Sequence, residues 1–292
     1  MKTTLPILRR TKLLDKQTID KYFKYDDEEV IISFSGGRTS ALMLKYFVEA
    51  HNGTLPKNIN VIFSNTGKEM PETLDFVQEC SEQYGVKIIW VEFCKHNRMK
   101  VVDYNTASRD GQPFAELIDK KSHLPNPTMR FCTSEMKITP MKLYVKNYLN
   151  YEQGWINCVG LRYDEGHRVK RLNGMKEKFF TEAPLYHAKI AKHHVFEHWE
   201  KSNWDLNLQN VNGSTPAGNC DLCFLKGQKT IQTLMRQNPG IEKWWIEQEK
   251  KTFNGRQPFF RRDRAPYETL QKQDQDQPDL FDGGTACVFC HD

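Results

Sequence analysis

The sequence contains no apolar run of about 18 residues, the length that a membrane-spanning helix needs, so we expect no membrane association. Near its start, Arg9, Arg10 and Lys12 lie where a secretory signal peptide has its apolar run. We therefore expect a cytoplasmic protein that is not exported. An excess of charge of one sign is also lacking: the net charge of +5 permits a nucleic-acid partner without requiring one.

A disulfide framework is not expected either, because thiols stay reduced in a non-exported chain. Four of the eight cysteines form two Cys-x-x-Cys pairs, Cys220 with Cys223 and Cys287 with Cys290. In a reducing compartment such pairs indicate metal or redox chemistry, and the two pairs alone could make a four-cysteine zinc site. The remaining cysteines are scattered, and we interpret three of them as packing residues: Cys80, Cys94 and Cys158.

The apolar segments predict an α/β fold. Strands are expected at 29–34, 59–63, 86–93 and 155–159, and helices at 41–47, 71–84 and 136–149. In the last of these, Pro140 suggests that the helix begins near that residue. Strands that alternate with helices predict a doubly wound, mostly parallel sheet, which binds ligands at the carboxyl ends of its strands. We predict an N-terminal extension at 1–28, a nucleotide-binding domain at 29–205 and a cysteine-containing, metal-binding region at 206–292.

A phosphate-binding loop is predicted between the first strand and the helix that follows it. Two glycines there let the main chain approach a phosphate, and the helix N-terminus offers unpaired N–H groups. A Walker A pattern, which would need Gly-x-x-x-x-Gly-Lys-Ser/Thr, is absent. A serine-capped Gly-Gly turn is the simpler alternative. The residues that we expect to hold the nucleotide phosphates are Ser35, Gly36, Gly37, Arg38, Thr39 and Ser40.

This Ser-Gly-Gly-x-x-Ser loop resembles the PP-loop of the adenine-nucleotide α-hydrolase superfamily, and the chain resembles its phosphoadenosine-phosphosulfate (PAPS) reductase-like branch. Four further segments match that branch in order: 63–73 (FSNTGKEMPET), 130–140 (RFCTSEMKITP), 159–165 (VGLRYDE) and 184–198 (PL…VFEH). The resemblance covers about residues 28–225. It implies an enzyme that binds ATP with Mg²⁺ and cleaves it between the α and β phosphates.

The same segments carry polar groups to the predicted ligand edge of the sheet. Thr66 and Gly67 follow the second strand, and Gly160 follows the fourth. Lys137 and Arg162 are cations that we expect to stabilise charge developing on phosphate oxygens, so both are candidate catalytic residues. Asp164 and Glu165 are candidates to bind Mg²⁺ or to orient Arg168; a surface salt-bridge network is the alternative.

The cysteine pattern departs from that of the sulfonucleotide reductases, since the chain lacks their Glu-Cys-Gly-x-His motif and their Cys-Cys dipeptide. It resembles instead the iron–sulfur sulfurtransferase of DNA phosphorothioation systems, which belongs to the same branch. That resemblance implies a [4Fe-4S] cluster on Cys132, Cys220, Cys223 and Cys290, with Cys287 as the alternative fourth ligand. Four thiolates also suit zinc.

The resemblance implies an ATP-dependent sulfurtransferase that adenylates a nucleic acid, DNA or tRNA, and takes sulfur from a donor protein such as a cysteine desulfurase. The segment from Gly166 to Lys192 carries seven lysines and arginines against two glutamates and is the candidate phosphate-backbone surface. A solvated basic face is the alternative. Two other functions remain open: a reductase of PAPS or adenylyl sulfate with a nucleophilic Cys287 or Cys290, and a non-catalytic nucleotide-binding subunit.

Overall fold

The computed structural model describes residues 13–172, 179–255 and 257–275. Within these residues, six strands form one sheet in the order β4-β3-β2-β1-β5-β6. The strands are β1 (Val30–Phe34), β2 (Ile59–Asn65), β3 (Ile88–Glu92), β4 (Lys100–Val102), β5 (Trp155–Val159) and β6 (Phe179–Glu182). All neighbours pair in parallel except β4, which runs antiparallel to β3. The predicted doubly wound, mostly parallel α/β fold is confirmed.

The sequence explains why the central strands are parallel and buried. The residues of β1 and β3 are almost all buried, as expected for strands covered by helices on both faces. One face of the sheet packs into the larger hydrophobic core, which includes Phe34, Phe63 and Phe76. The other face forms a smaller cluster around Ile31 and Val145.

Some helices begin or end at residues that local chemistry favours. The helices are α1 (Lys16–Phe23), α2 (Arg38–Ala50), α3 (Pro71–Tyr84), α4 (Gln112–Lys121), α5 (Thr139–Tyr144), α6 (Gly166–Val169), α7 (Pro184–His187), α8 (Lys192–Glu200), α9 (Gln228–Gln237), α10 (Lys243–Lys250) and α11 (Tyr267–Gln275). For example, α3 has proline at its first position and a left-handed Gly85 after its last. A short 3₁₀ turn, Tyr163–Glu165, precedes α6.

The prediction that a helix begins near Pro140 is wrong. Helical structure begins earlier, with a π-helix at Thr133–Ile138 before α5, and a second π-helix follows at Val145–Leu149. Pro140 has no N–H to donate, and the wider π turn, in which Thr139 N–H donates to Ser134 O, carries the chain past it. Two short strands, β4 and β6, were not predicted.

Side chains from both sides of residue 205 share the larger core. Trp245, Phe260 and Tyr267 are fully buried, and Phe114 in α4 packs against Trp244 and Trp245. The domain boundary at 205/206 stays a prediction. Within the part of the chain that the structure describes, no helix is long and apolar enough to cross a membrane.

Candidate active site

The predicted phosphate loop joins β1 to α2 at the carboxyl edge of the sheet. Gly37 is the N-cap of α2, in an extended conformation, and no side chain caps the first N–H groups of the helix. The Ser40 hydroxyl donates to Gly37 O at 2.8 Å and accepts a hydrogen bond from the Ser35 hydroxyl at 3.0 Å. The end of a 13-residue helix is thus open to an anion, as a phosphate site requires.

The two glycines of the loop have different constraints. Gly36 has φ +77°, and a Cβ there would lie 2.8 Å from Thr73 Cγ2. Gly37 has an ordinary φ, and a Cβ there would meet only Ser35 Oγ, at 3.7 Å. Gly36 is therefore required by the fold, whereas Gly37 leaves open space at the helix end.

Arg38 directs its guanidinium away from the helix end. It forms a two-pronged ion pair with Asp205, at 2.7 and 2.6 Å, and donates to Thr215 Oγ1 and Leu208 O. The Arg38 side chain is almost fully buried. The Arg38 charge therefore holds the phosphate loop against residues 205–215. Only the main chain of Arg38 contributes to the N-terminus of α2.

A cleft lies in front of the loop. Residues from three regions line it: Ser35, Gly36, Gly37, Thr73, Leu206, Thr215, Gly218 and Asn219. The Thr73 side chain is buried, and its hydroxyl has no hydrogen-bond partner among the described residues. A polar ligand in the cleft is the kind of partner that this hydroxyl lacks.

The loop after β2 connects the cleft to the first cysteine pair. Thr66 donates through both its N–H and its hydroxyl to the Glu69 carboxylate, at 2.9 Å. Glu69 pairs with Cys220 through the main chain, and Cys220 Sγ lies 3.4 Å from Thr66 Oγ1. At Gly67, with φ +77°, a Cβ would lie 2.7 Å from Ser108 Oγ. Cys220 directly follows Asn219, which lines the cleft.

A buried salt bridge fixes this connection. Lys68 Nζ lies 2.8 Å from Asp221 Oδ2, and both side chains are buried. Asp221 also donates its N–H to Lys68 O and accepts from Trp245 Nε1 at 2.7 Å. The position of the Cys-x-x-Cys loop is thereby set by the loop after β2 and by α10.

Lys137, on the first π-helix, faces three cysteines. Burial acts to lower its pKa, but the negative charges of Cys220, Glu69, Cys132 and Cys223 outweigh burial and raise the pKa above its ordinary value. Burial raises the pKa of Cys132 and of Cys220, while the Lys137 charge opposes both shifts. Lys137 therefore lies within electrostatic range of Cys132, Cys220 and Cys223, and the roles predicted for these four residues stay predictions.

The same residues do not by themselves form a metal centre. In the described parts of the chain, no group of three or more histidine, cysteine, aspartate or glutamate side chains is placed to hold a metal ion. The predicted fourth ligand, Cys290 or Cys287, lies outside the described residues. The same is true of Lys176 and Lys178, which belong to the basic segment from Gly166 to Lys192. The described residues thus do not fit a complete [4Fe-4S] or zinc site.

Arg162 approaches the loop from the end of β5. At Gly160 a Cβ would lie 3.3 Å from Ser40 Cα, so the absence of a side chain permits close packing. Arg162 is buried, and its Nη1 donates to Thr39 Oγ1 at 3.3 Å. Thr39 and Arg162 are therefore paired at the start of α2.

Two carboxylates next to Arg162 are engaged by arginines. Arg162 lies 3.3 Å from Asp164, and although burial acts to raise the pKa of Asp164, the hydrogen bonds and charge of Arg162 lower it. Glu165 accepts from the Arg162 N–H at 3.0 Å and forms an ion pair with Arg168. Glu165 thus contacts Arg168, whereas Asp164 is held by Arg162; binding of Mg²⁺ by these carboxylates stays a prediction.

Sequence reasoning missed several residues around the cleft. Asp205 is the last residue of the predicted nucleotide domain, and Thr215 and Asn219 come from the segment after it. Glu69 lies in the 63–73 motif, where the sequence assigns it no role. The only signal in the sequence was the turn-rich stretch 213–219 directly before Cys220.

Comparison with protein families gives one match over more than half of the chain. The sequence model of the phosphoadenosine phosphosulfate reductase domain matches residues 29–183. An uncharacterized nin region protein of Escherichia phage lambda is 25% identical over 226 residues, covering 74% of this chain and 73% of the relative. An uncharacterized protein of Methanocaldococcus jannaschii is 28% identical over 235 residues, covering 78% of this chain but 42% of that protein.

Two solved structures have a distant likeness to this chain. The U34-tRNA thiolase NcsA from Methanococcus maripaludis, solved with its [4Fe-4S] cluster, has a TM-score of 0.43 and 18% identity, covering 78% of this chain and 72% of that one. A phosphoadenylyl-sulfate reductase from Candida auris has a TM-score of 0.35 and 13% identity, covering 84% and 90%. Neither score is high enough to assign a substrate or cofactor to this chain.

Proposed function

Because the chain belongs to the phosphoadenosine phosphosulfate reductase domain family, we propose that it is an ATP-pyrophosphatase-type sulfurtransferase acting on nucleic acid in the cytoplasm. The observation that carries this proposal is the short chain path from the phosphate-loop cleft to the first cysteine pair, whose Cys220 Sγ lies 3.4 Å from Thr66 Oγ1. Asn219 lines the cleft and Cys220 follows it. A nucleotide group and a sulfur group can therefore meet at one edge of the sheet.

The proposed reaction has two steps. A substrate oxygen attacks the α phosphorus of ATP, the bond to the β-phosphate oxygen breaks, and pyrophosphate leaves. A donor protein, such as a cysteine desulfurase, presents sulfur as a persulfide, which a thiol reductant converts to sulfide with formation of a disulfide. The sulfide then attacks the activated centre, and AMP leaves with the former substrate oxygen. Sulfur thus replaces oxygen without a change of oxidation state in the nucleotide.

We assign roles to the site residues on their positions. The N–H groups at the start of α2, with Gly36, Gly37 and Ser40, bind the phosphates, together with Mg²⁺. Arg162, next to Thr39, and Lys137, beside the cysteines, stabilise negative charge as pyrophosphate and then AMP leave. Thr66, Gly67 and Gly160 shape the edge of the site.

The cluster is a separate part of the proposal. Cys132, Cys220 and Cys223 supply three thiolates, and Cys290 or Cys287 is proposed to add the fourth; four thiolates suit a [4Fe-4S] cluster, with zinc as the alternative. No step of the reaction is assigned to the metal.

The family match also supports a second candidate, reduction of PAPS or adenylyl sulfate. A reductase transfers electrons from a thiol to the sulfate sulfur and releases sulfite, and it needs no ATP. Incubation with PAPS and a dithiol reductant tests this alternative directly. Sulfite release without ATP would favour it over sulfur transfer.

The proposed function is tested by supplying ATP, Mg²⁺, sulfide and either DNA or tRNA to anaerobically purified protein. Nucleosides from the digested nucleic acid are then analysed by mass spectrometry. The proposal expects an ATP-dependent product in which sulfur replaces oxygen, and Lys137→Ala and Arg162→Ala should lower its yield. Unmodified DNA and tRNA in reactions that consume ATP would contradict a nucleic-acid substrate.

A further inference from the structure

A row of aromatic rings begins next to Arg162 and leads away from the cleft. Tyr163 and Tyr186 have ring centroids 5.5 Å apart, Tyr186 and His187 are 5.6 Å apart, and His187 and Tyr22 are 6.2 Å apart with nearly parallel rings. We call these four residues the aromatic row. Tyr163 is 50% exposed and His187 is also exposed, so ring surface faces solvent.

The row is held in place by the main chain. Tyr163 N–H donates to Ile190 O at 2.8 Å, and Lys192 N–H donates to Asp164 at 2.9 Å. At Gly166 a Cβ would lie 3.2 Å from Tyr186 Cε2, so a side chain there would press on the Tyr186 ring. The exposed rings are thus positioned by packing before any ligand binds.

Cations flank the row while the nearby carboxylates are already paired. Lys170, Arg171 and Lys189 are exposed and form no ion pair with a described residue, and Lys21 Nζ lies 5.0 Å above the Tyr22 ring. The carboxylates on the same segments, Asp164 and Glu165, are bound by Arg162 and Arg168 as described above. Among the described residues, the surface therefore combines exposed aromatic rings with cations that form no ion pair.

We propose that the aromatic row binds an unpaired stretch of nucleic acid, whose bases stack on Tyr163 and His187 while Lys170, Arg171 and Lys189 contact its phosphates. This inference rests on the proposed function and narrows its substrate to single-stranded or looped nucleic acid. Exposed rings stack on unpaired bases, which a duplex does not offer. Cations contact the phosphate backbone of single strands and duplexes alike. Because Tyr163 adjoins Arg162, the bound strand leads towards the phosphate loop.

The proposal is tested by measuring binding to short fluorescein-labelled oligothymidylate and oligouridylate. Binding is monitored by fluorescence anisotropy in the absence of ATP. Tyr163→Ala should weaken binding of single strands about tenfold, as for loss of one stacking residue, and Tyr163→Phe should retain it. The matched control is Tyr148→Ala, since Tyr148 is 60% exposed and stacked on Tyr144 away from the row. His187→Ala gives a second test if Tyr163→Ala does not fold.

The cations are tested through salt dependence. A plot of log affinity against log salt concentration has a negative slope. For single strands, each of Lys170→Ala and Arg171→Ala should make this slope shallower by about 0.7. Equal affinity of wild type and Tyr163→Ala, or duplex binding as tight as single-strand binding, would overturn the proposal. Absence of any oligonucleotide binding would also overturn it and point to a protein partner for the row.

The two proposals fail in different ways. If the protein still cleaves ATP to AMP and pyrophosphate but does not bind single strands more tightly than duplexes, only the proposal for the aromatic row is contradicted. Intact single-strand binding with no AMP formation contradicts the proposed function alone.

Discussion

At the scale of single residues, Gly36 and Gly37 have separate tasks although they are adjacent. Gly36→Ala would force alanine into a left-handed backbone conformation and place its Cβ against Thr73. The substitution should lower the free energy of unfolding by about 2 kcal/mol. Gly37→Val should leave thermal unfolding nearly unchanged and weaken ATP binding about tenfold or more, because its side chain fills the space before the helix. Calorimetric unfolding and ATP titration check the pair; undiminished ATP affinity in folded Gly37→Val would remove the phosphate-loop assignment.

His198 gives a residue-scale prediction about pH. Burial, helped by the Lys45 charge, lowers the pKa of His198 from 6.5 to about 4. The unfolded chain therefore takes up the proton first, so stability present above about pH 6.5 is lost as the pH falls towards 4. Because the side chain is half-buried, we expect the free energy of unfolding to fall by about 1–2 kcal/mol over this pH range.

Urea unfolding of wild type and His198→Phe between neutral pH and pH 4 measures this contribution. The stability difference between the two proteins should shift in favour of the phenylalanine variant as the pH falls. Parallel stability curves over this range would show that His198 is protonated equally in the folded and unfolded states.

At the scale of elements, the Arg38–Asp205 ion pair joins α2 to the segment before the cysteine pair. Asp205→Asn leaves the buried guanidinium without its counter-charge and should lower the free energy of unfolding by about 2 kcal/mol. It should also weaken ATP binding, because the loop loses its support. The control is Glu49→Gln, which breaks the partly exposed i,i+4 pair with Lys45 and should cost less than about 0.5 kcal/mol. Equal effects of the two substitutions on stability and ATP binding would contradict the supporting role.

The elements also show how far the sequence could be interpreted. The long apolar strands β1 to β3 and the loop at Ser35 were predictable because burial and glycine chemistry are local signals. The π-helix at Thr133–Ile138 and the edge strands were not, because they depend on contacts with distant segments. The role of Arg38 could not be predicted for the same reason: its partner is Asp205, far along the chain.

At the scale of the whole molecule, the remote cysteines are predicted to converge on one metal centre. Anaerobic protein supplied with iron should be coloured and contain four irons per chain, and Cys132→Ala, Cys220→Ala or Cys223→Ala should lose the colour. Cys80→Ala, at a buried core cysteine, is the control and should keep its iron. Separate Cys287→Ala and Cys290→Ala variants identify the fourth ligand, and colourless protein with one zinc per chain would contradict the cluster.

The central claim is that the loop at Ser35 directs cleavage of ATP between its α and β phosphates. The most direct measurement is to incubate the anaerobically prepared protein with ATP labelled in the α and γ phosphates, Mg²⁺ and single-stranded nucleic acid, and to separate the products by chromatography. The account predicts AMP and pyrophosphate in equal amounts, reduced in Gly37→Val. ADP and free phosphate as the main products would contradict it.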